Sequence, residues 1–463
     1  MRLGGRFENF SLNEVCPVPD NGRLFRPSLQ PPNPGPITVQ IDQASPEQLA
    51  AFEQECATKY AEFQSAKLNL DLTRGKPSGA QLDLSNALDG ILAGNYKAPD
   101  GTDTRNYGGL DGLAELKALY APVLGVKPEE VLIGGNSSLT LMHQVLTFAH
   151  FLGLRKPEEA WAKEGTVKFL AQVPGYDRHF AICEHLGIQM IPVPMQADGP
   201  DMDAIEALVA ADSSIKGIWC VPRFSNPTGH VYSAAVVERM AGLGKVAAGN
   251  FLIMWDNAYS LHVLDENAPQ LANIHEACRR LGTENSVLEF GSTSKITHAG
   301  AGMAYMAASK ANLDGFRKHL GIATIGPDKV NQLRHLKFLP DVAALKSQMQ
   351  KQAALIKPRF DMVLRHLREG LAGTGLAQWN EPQGGYFISL DTLPGLAKEV
   401  VKLAGAAGVK LTPAGATWPY GKDPQDRNIR IAPTVPTLPE LDQAMQVFVL
   451  CVKLASVRQK LAK

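Results

Sequence analysis

The sequence predicts an α/β fold: a mostly parallel central sheet with helices on both faces, followed by a smaller α+β unit. Three observations lead there. Between about residues 105 and 340, six short apolar runs alternate with amphipathic helical patterns, the order of strands and crossover helices in a doubly covered sheet. The runs are apolar throughout, as strands buried on both faces must be. Small, polar or glycine-rich residues follow nearly every run, where such sheets place their ligand-binding loops.

Residues 1 to about 40 crowd Pro27, Pro31, Pro32, Pro34 and Pro36 among Asn, Gly and Arg. They cannot propagate a helix and have little to bury, so residues 1–44 read as a flexible arm. Ser45 then offers an N-cap with Pro46 in the first turn, and Leu49, Phe52, Cys56, Tyr60 and Phe63 recur at helical spacing. The six runs are Val131 to Ile133, Val167 to Val173, Met190 to Val193, Gly217 to Val221, Phe251 to Trp255 and Ser286 to Phe290. A long helix through Leu364 and Leu367 comes next. Short strands near Tyr386 to Leu390 and Asn428 to Ile431 follow, and a helix from Pro439 ends the chain. The expected division is residues 45–95 as the N-terminal part of a small domain, 96–340 as a large domain and 341–463 as the rest of the small one.

Composition narrows the function. The 463 residues carry 46 Lys+Arg against 46 Asp+Glu, so no broad positive field invites nucleic acid or a membrane surface. Apolar stretches such as Val447 to Val452 fall far short of the roughly 18 residues that span a bilayer. The first residues lack the apolar core of a signal peptide. The six cysteines show neither metal-site nor redox-pair spacing, which reads as reduced thiols in a cytoplasmic protein without a metal.

The strand ends carry the chemistry. Val131-Leu-Ile-Gly-Gly-Asn-Ser-Ser leads into a helical pattern, a geometry that offers free backbone N–H groups and a positive dipole end to an anion. Ser137 and Ser138 are therefore candidate phosphate ligands, although serine is also an ordinary N-cap. Val173-Pro-Gly-Tyr176 puts an aromatic ring at a strand end, fit for stacking or for packing. Asn226-Pro-Thr-Gly229 is a turn sequence close behind another strand. Asp256 ends an apolar strand in Trp255-Asp-Asn-Ala-Tyr259, and a carboxylate there costs several kcal/mol unless it meets a cation or donors. Phe290-Gly-Ser-Thr-Ser-Lys295 ends a strand in small hydroxyl residues and a lysine, a candidate Schiff-base former if burial or a neighbouring charge lowers its pKa.

Taken together, these motifs resemble the fold-type I pyridoxal-phosphate enzymes, in particular the class I/II aminotransferases, over about residues 45–460. The strings LTRGKPS, RNYGGLDG, GSTSKITHAGAG and TIGPDKVNQLRH resemble the branch described as MocR-type, or type Ic, aspartate aminotransferases. The resemblance implies that Lys295 bonds to the aldehyde of pyridoxal 5′-phosphate and later moves the substrate Cα proton. It implies that Asp256 pairs with the pyridine nitrogen and keeps the ring an electron sink, while Asn226 and Tyr259 hydrogen-bond the phenolic oxygen and Tyr176 stacks on the ring. Ser137, Ser138 and Ser292 would bind the phosphate, and Tyr107 would reach the phosphate of a neighbouring subunit in a homodimer with composite sites. Arg430 would clamp the substrate α-carboxylate, with Gly75 and Gly384-Gly385-Tyr386 lining the site.

One departure stands out. The class places an arginine eight residues after the lysine, and here that position is Met303. Arg105 is the candidate replacement for neutralising the phosphate. For a distal substrate carboxylate the candidate cations are Lys329, Lys76 and Arg105. The expected reaction is amino transfer from an L-amino acid, foremost aspartate, to 2-oxoglutarate by a ping-pong route. A β-lyase or decarboxylase on the same fold is the alternative, because the electron sink is common to all three. A transcription regulator is disfavoured, since the proline-rich, near-neutral residues 1–44 lack the pattern of a DNA-binding helix-turn-helix domain.

Overall fold

The structure is a computed structural model, and it describes residue 41 and residues 43–463. The expected arm, residues 1–44, therefore lies almost wholly outside the described residues. Thirteen strands occur among them: β1 (Leu70–Leu72), β2 (Val131–Ile133), β3 (Lys168–Val173), β4 (Gln189–Gln196), β5 (Gly199–Pro200), β6 (Ile215–Cys220), β7 (Leu252–Asp256), β8 (Val287–Ser292), β9 (Ala304–Ala308), β10 (Ala377–Trp379), β11 (Ile388–Thr392), β12 (Val409–Leu411) and β13 (Asn428–Ile431).

Eight of them form the central sheet in the order β2-β9-β8-β7-β6-β3-β4-β5. From β8 across to β4 all pairings are parallel. β9 is antiparallel to both its neighbours, and β5 is antiparallel to β4. Because β9 reverses twice, β2 points the same way as β8. The carboxyl ends of β2, β3, β6, β7 and β8 therefore share one edge of the sheet, and every predicted strand-end motif hangs from that edge.

Both faces of the sheet are covered, which explains the unbroken apolar runs. Phe169, Trp219, Met254 and Leu288 pack on one side with Leu141, Met142 and Val145 of the Ser138–Phe151 helix. Their chain neighbours Leu170, Ile218, Ile253 and Val287 pack on the other side with Val236, Met240 and Cys278. Gly217 in β6 lets this happen. A Cβ there would stand 2.3 Å from the Phe169 ring and 2.5 Å from the Leu252 carbonyl.

A second core joins chain segments far apart in sequence. The Pro46–Ser65 helix starts at Ser45 through a reciprocal capping box with Gln48 and buries Leu49, Phe52, Cys56 and Tyr60. These pack with Phe360, Val363 and Leu367 of the 30-residue Val342–Leu371 helix and with Leu441, Met445 and Phe448 of the Leu438–Leu461 helix. Parallel pairing of β1 with β12 and a hydrogen bond from Tyr60 to the Leu403 carbonyl tie the same segments. β10, β11 and β13 form a three-stranded antiparallel sheet.

The expected strand at Tyr386 to Leu390 begins two residues later. Gly384 and Gly385 are engaged elsewhere: Gly384 bridges to Val263 and the Gly385 amide donates to the His262 carbonyl. The five cysteines among the described residues are buried and unpaired. No helix is long and apolar enough to cross a membrane, and no cluster of three or more His, Cys, Asp or Glu able to hold a metal occurs, both among the described residues.

Gly217→Ala should destabilise the fold by about 1–3 kcal/mol, the usual range for a forced contact in a packed core. A lower midpoint in thermal or urea unfolding checks this. Gly249→Ala, where a Cβ meets nothing within 4 Å, should leave the midpoint in place.

Candidate active site

Lys295 sits in the turn that follows β8, held by Ile296 and Thr297 amides donating to the Thr293 carbonyl. Its Nζ lies 5.1 Å from the centre of the Tyr259 ring and 5.7 Å from that of Tyr386. Burial lowers its pKa, with the negative charge of Asp256 acting against the shift. A lysine in these surroundings is more readily neutral, and so nucleophilic, than one in water. His262 accompanies it, with Nε2 3.3 Å from the Lys295 carbonyl oxygen. Burial and the Lys295 charge hold the imidazole down to about 3, so it stays neutral and adds no positive charge beside the lysine.

Asp256 closes β7 and is 3% exposed. Its Oδ2 lies 2.9 Å from His179 Nε2, and its Oδ1 is buried without a hydrogen-bond partner. His179 is itself fixed: it stacks flat on Trp219 at 4.1 Å and meets Tyr176 edge-on at 4.8 Å. Tyr176 and His179 are one helical turn apart, at the start of the Asp177–His185 helix. Burial pushes the Tyr176 phenol up to about 12 and that of Tyr259 further, so both hydroxyls keep their protons.

Asn226 is buried in the loop after β6, with the Gly229 amide closing the turn on the Ser225 carbonyl. Its Oδ1 accepts from Arg430 Nη1 at 3.2 Å, and its Nδ2 is a buried donor with no partner. Arg430 projects from β13, 6% exposed, with its guanidinium 4.9 Å over the Phe387 ring. Nη1 also donates to Asp177 Oδ1 at 2.9 Å, while Nε is buried and unpartnered. Gly75 packs against the same ring, and a Cβ there would stand 2.4 Å from Phe387. Tyr386 is held from behind, its hydroxyl accepting from Gln81 Nε2 at 2.9 Å.

The anion turn adjoins the lysine turn. Ser137 is the N-cap of the Ser138–Phe151 helix and makes no capping hydrogen bond of its own. The Asn136 carbonyl accepts from Ser294 Oγ, and the Ser294 amide approaches Ser292 Oγ at 3.4 Å. Both serine groups are thus tied to the segment that carries Lys295. Met303 is buried among Leu116, Tyr305 and Leu333, with its amide donating to Thr293 Oγ1. The position is an apolar core position.

Four predicted residues stand apart from this cluster. Tyr107 is 83% exposed. Arg105, on the same loop, is on the surface, in a two-point ion pair with Asp103 and 5.2 Å over Tyr96. Lys329 departs from the expectation that it is free to meet a distal carboxylate. It is 4% exposed, and its Nζ donates to the Asn106 and Gly108 carbonyls, so its charge is spent on holding the Tyr107 loop. Lys76 is exposed. Sequence reading missed His179, Asp177, His262 and Phe387. A signal was present for the first two, since buried Asp256 and Arg430 each demand an opposite partner, and Tyr176-Asp-Arg-His179 supplies both.

The donor set fits pyridoxal phosphate. Asp256 Oδ1 is a buried acceptor without a donor, Asn226 Nδ2 a buried donor without an acceptor, and the Asp256 charge acts on a lysine amine of lowered pKa. These are the groups that would hold a protonated ring nitrogen, a phenolic oxygen and an aldehyde carbon.

Comparison with known proteins agrees. The family profile described as aspartate amino-transferase matches residues 44–463. An aspartate aminotransferase of Corynebacterium glutamicum is 44% identical over 420 residues, 90% of this chain and 97% of the relative. A crystal structure of an aspartate transaminase from C. glutamicum superposes with a TM-score of 0.88 at 44% identity, covering 91% of this chain and all of that one. The fold extends further: an α-aminoadipate aminotransferase of Thermus thermophilus gives a TM-score of 0.69 at 20% identity, over 90% and 96% of the two chains. With a profile spanning nearly the whole sequence and a relative this similar end to end, the chain belongs to the aspartate aminotransferase family, whose members are pyridoxal-phosphate aminotransferases.

Proposed function

We propose that this aminotransferase moves the amino group of L-aspartate to 2-oxoglutarate by a ping-pong route, on a site whose residues take the following roles. One observation carries the reading. A lysine of lowered pKa in the turn after β8 faces the charge of a buried aspartate with one free oxygen at the end of the adjacent parallel strand β7, and a buried amide donor in the loop after β6 also lacks a partner. When bound, pyridoxal phosphate supplies a conjugated ring that accepts the electrons released at the substrate Cα.

Lys295 would hold the cofactor through its aldehyde carbon, and its amine would be the group that moves the proton at the substrate Cα. Asp256, oriented by His179, keeps a proton on the ring nitrogen. Asn226 and Tyr259 would hydrogen-bond the phenolic oxygen, and Tyr176 would stack on the ring. Ser137, Ser138 and Ser292, with the dipole of the Ser138–Phe151 helix, receive the phosphate. Arg430 and the Gly75 loop take the α-carboxylate. The aspartate preference is supported by the C. glutamicum relative, itself an aspartate aminotransferase.

Tyr107 and Arg105 point outward, which suits a contribution to the phosphate site of a second subunit in a homodimer. The Asp103 pairing leaves Arg105 charged but already engaged. The type Ic branch is supported by the sequence strings that carry that resemblance. Residues 45–95 with 341–463 as a smaller domain beside 96–340 is supported by the core shared by the Pro46–Ser65, Val342–Leu371 and Leu438–Leu461 helices. A cytoplasmic location fits the unpaired cysteines.

Four measurements test these assignments. Aspartate added alone should convert the visible absorbance of the lysine-bound cofactor to that of the aminated cofactor, and 2-oxoglutarate should restore it; release of β-alanine or pyruvate would point to decarboxylase or lyase chemistry instead. Lys295→Ala should abolish the lysine-bound absorbance, and its persistence would refute the lysine assignment. Asp256→Ala should lower kcat about 100-fold or more, the scale of losing an aimed charge at the reacting centre. Tyr107→Phe and Arg105→Ala should each raise the cofactor Kd, and an unchanged Kd for Arg105→Ala would remove that residue from the phosphate site.

A further inference from the structure

A guanidinium that is 94% covered needs a counter-charge, and Arg430 has one within its own chain. Asp177 accepts from Nη1 at 2.9 Å, with side-chain exposures of 6% for the arginine and 37% for the aspartate. The pair links the central sheet to the three-stranded one, since Asp177 opens the helix that follows β3 and Arg430 lies on β13. We infer that Asp177 is a built-in competitor for the substrate α-carboxylate, a positioning residue that weakens carboxylate binding and so eases release from the clamp. The inference rests on the reading of Arg430 as that clamp.

Two docking modes are open to a planar carboxylate on Arg430, and Asp177 opposes both. A carboxylate that takes the Nη1 edge must displace Asp177, or displace Asn226 and share the cation with Asp177. A carboxylate that takes Nε, which is buried and unpartnered, leaves Asp177 in place, and two anions then share one cation. The orientation of Arg430 does not need Asp177. The Phe387 ring lies under the guanidinium, Asn226 Oδ1 holds Nη1, and the strand register pairs Arg430 with Ser389. Losing the Asp177 charge should therefore free the clamp without dislodging it. The competition has a use in a two-stage reaction, where both substrates and both products are carboxylates and must leave the same arginine in turn. Held too tightly, a product would block the second stage.

The test uses cofactor-loaded enzyme. Titration calorimetry with succinate, a dicarboxylate that lacks an amino group, reads binding apart from turnover. Asp177→Asn keeps a hydrogen-bond acceptor and removes the charge. It should lower the succinate Kd and the KM for aspartate about five-fold, the scale of an ion pair with one partly exposed partner, without raising kcat. Asp177→Glu should restore wild-type binding, and Asp177→Ser serves in place of the asparagine variant if that one does not fold. An unchanged or raised succinate Kd in the neutral variants would overturn the inference, because a residue that only props Arg430 would weaken binding when removed. Arg430→Gln separates the two readings: if it binds succinate as the wild type does, the clamp assignment fails whatever Asp177→Asn does.

Discussion

Asp256 is a carboxylate at the end of a strand that is buried along its whole length. Taking such a group out of water costs several kcal/mol unless its charge is answered, and much of the site is arranged around that demand. His179 answers one oxygen, and it can do so because Trp219 lies flat against its ring and Tyr176 closes its edge. The aromatic residues after β3 and within β6 are thereby set at fixed distances from the end of β7. The second oxygen is buried without a hydrogen-bond partner. A site built this way is preorganised: the orienting hydrogen bond exists before anything binds, so none of it must be assembled during the reaction.

Several cations around the site are already engaged within the chain. Lys329 is chelated by two backbone carbonyls and stiffens the loop that presents Tyr107. Arg105 is matched by Asp103, and Arg430 by Asp177. Met303, at the place where the class carries an arginine, is buried in an apolar cluster. Under the proposed assignment, a phosphate on Ser137, Ser138 and Ser292 would depend on backbone donors, hydroxyls and a helix end.

Much of the central sheet could be read in advance. All six apolar runs are strands, each within a few residues, because burial on both faces forces an uninterrupted apolar pattern that polar segments do not imitate. β9 escaped notice for the converse reason. Ala304-Tyr-Met-Ala-Ala308 is short, rich in alanine and antiparallel, so it has neither the branched composition nor the following loop that marked the others. The capping boxes at Ser45 and Thr437 show why helix starts were legible: the signal is local, made of residues three positions apart.

The sequence by itself determined the residue types at each strand end, the lysine, the aspartate, the asparagine and the serines, and with them the family and its cofactor. Those are matters of order along the chain, and order survives without coordinates. Tertiary structure alone decided how the charges are paired. Lys329 is 221 positions from Gly108, and Arg430 is 253 from Asp177. No periodicity or spacing rule reaches across such separations, because the contacts exist only once the sheets have packed and the buried groups have found the partners that desolvation requires.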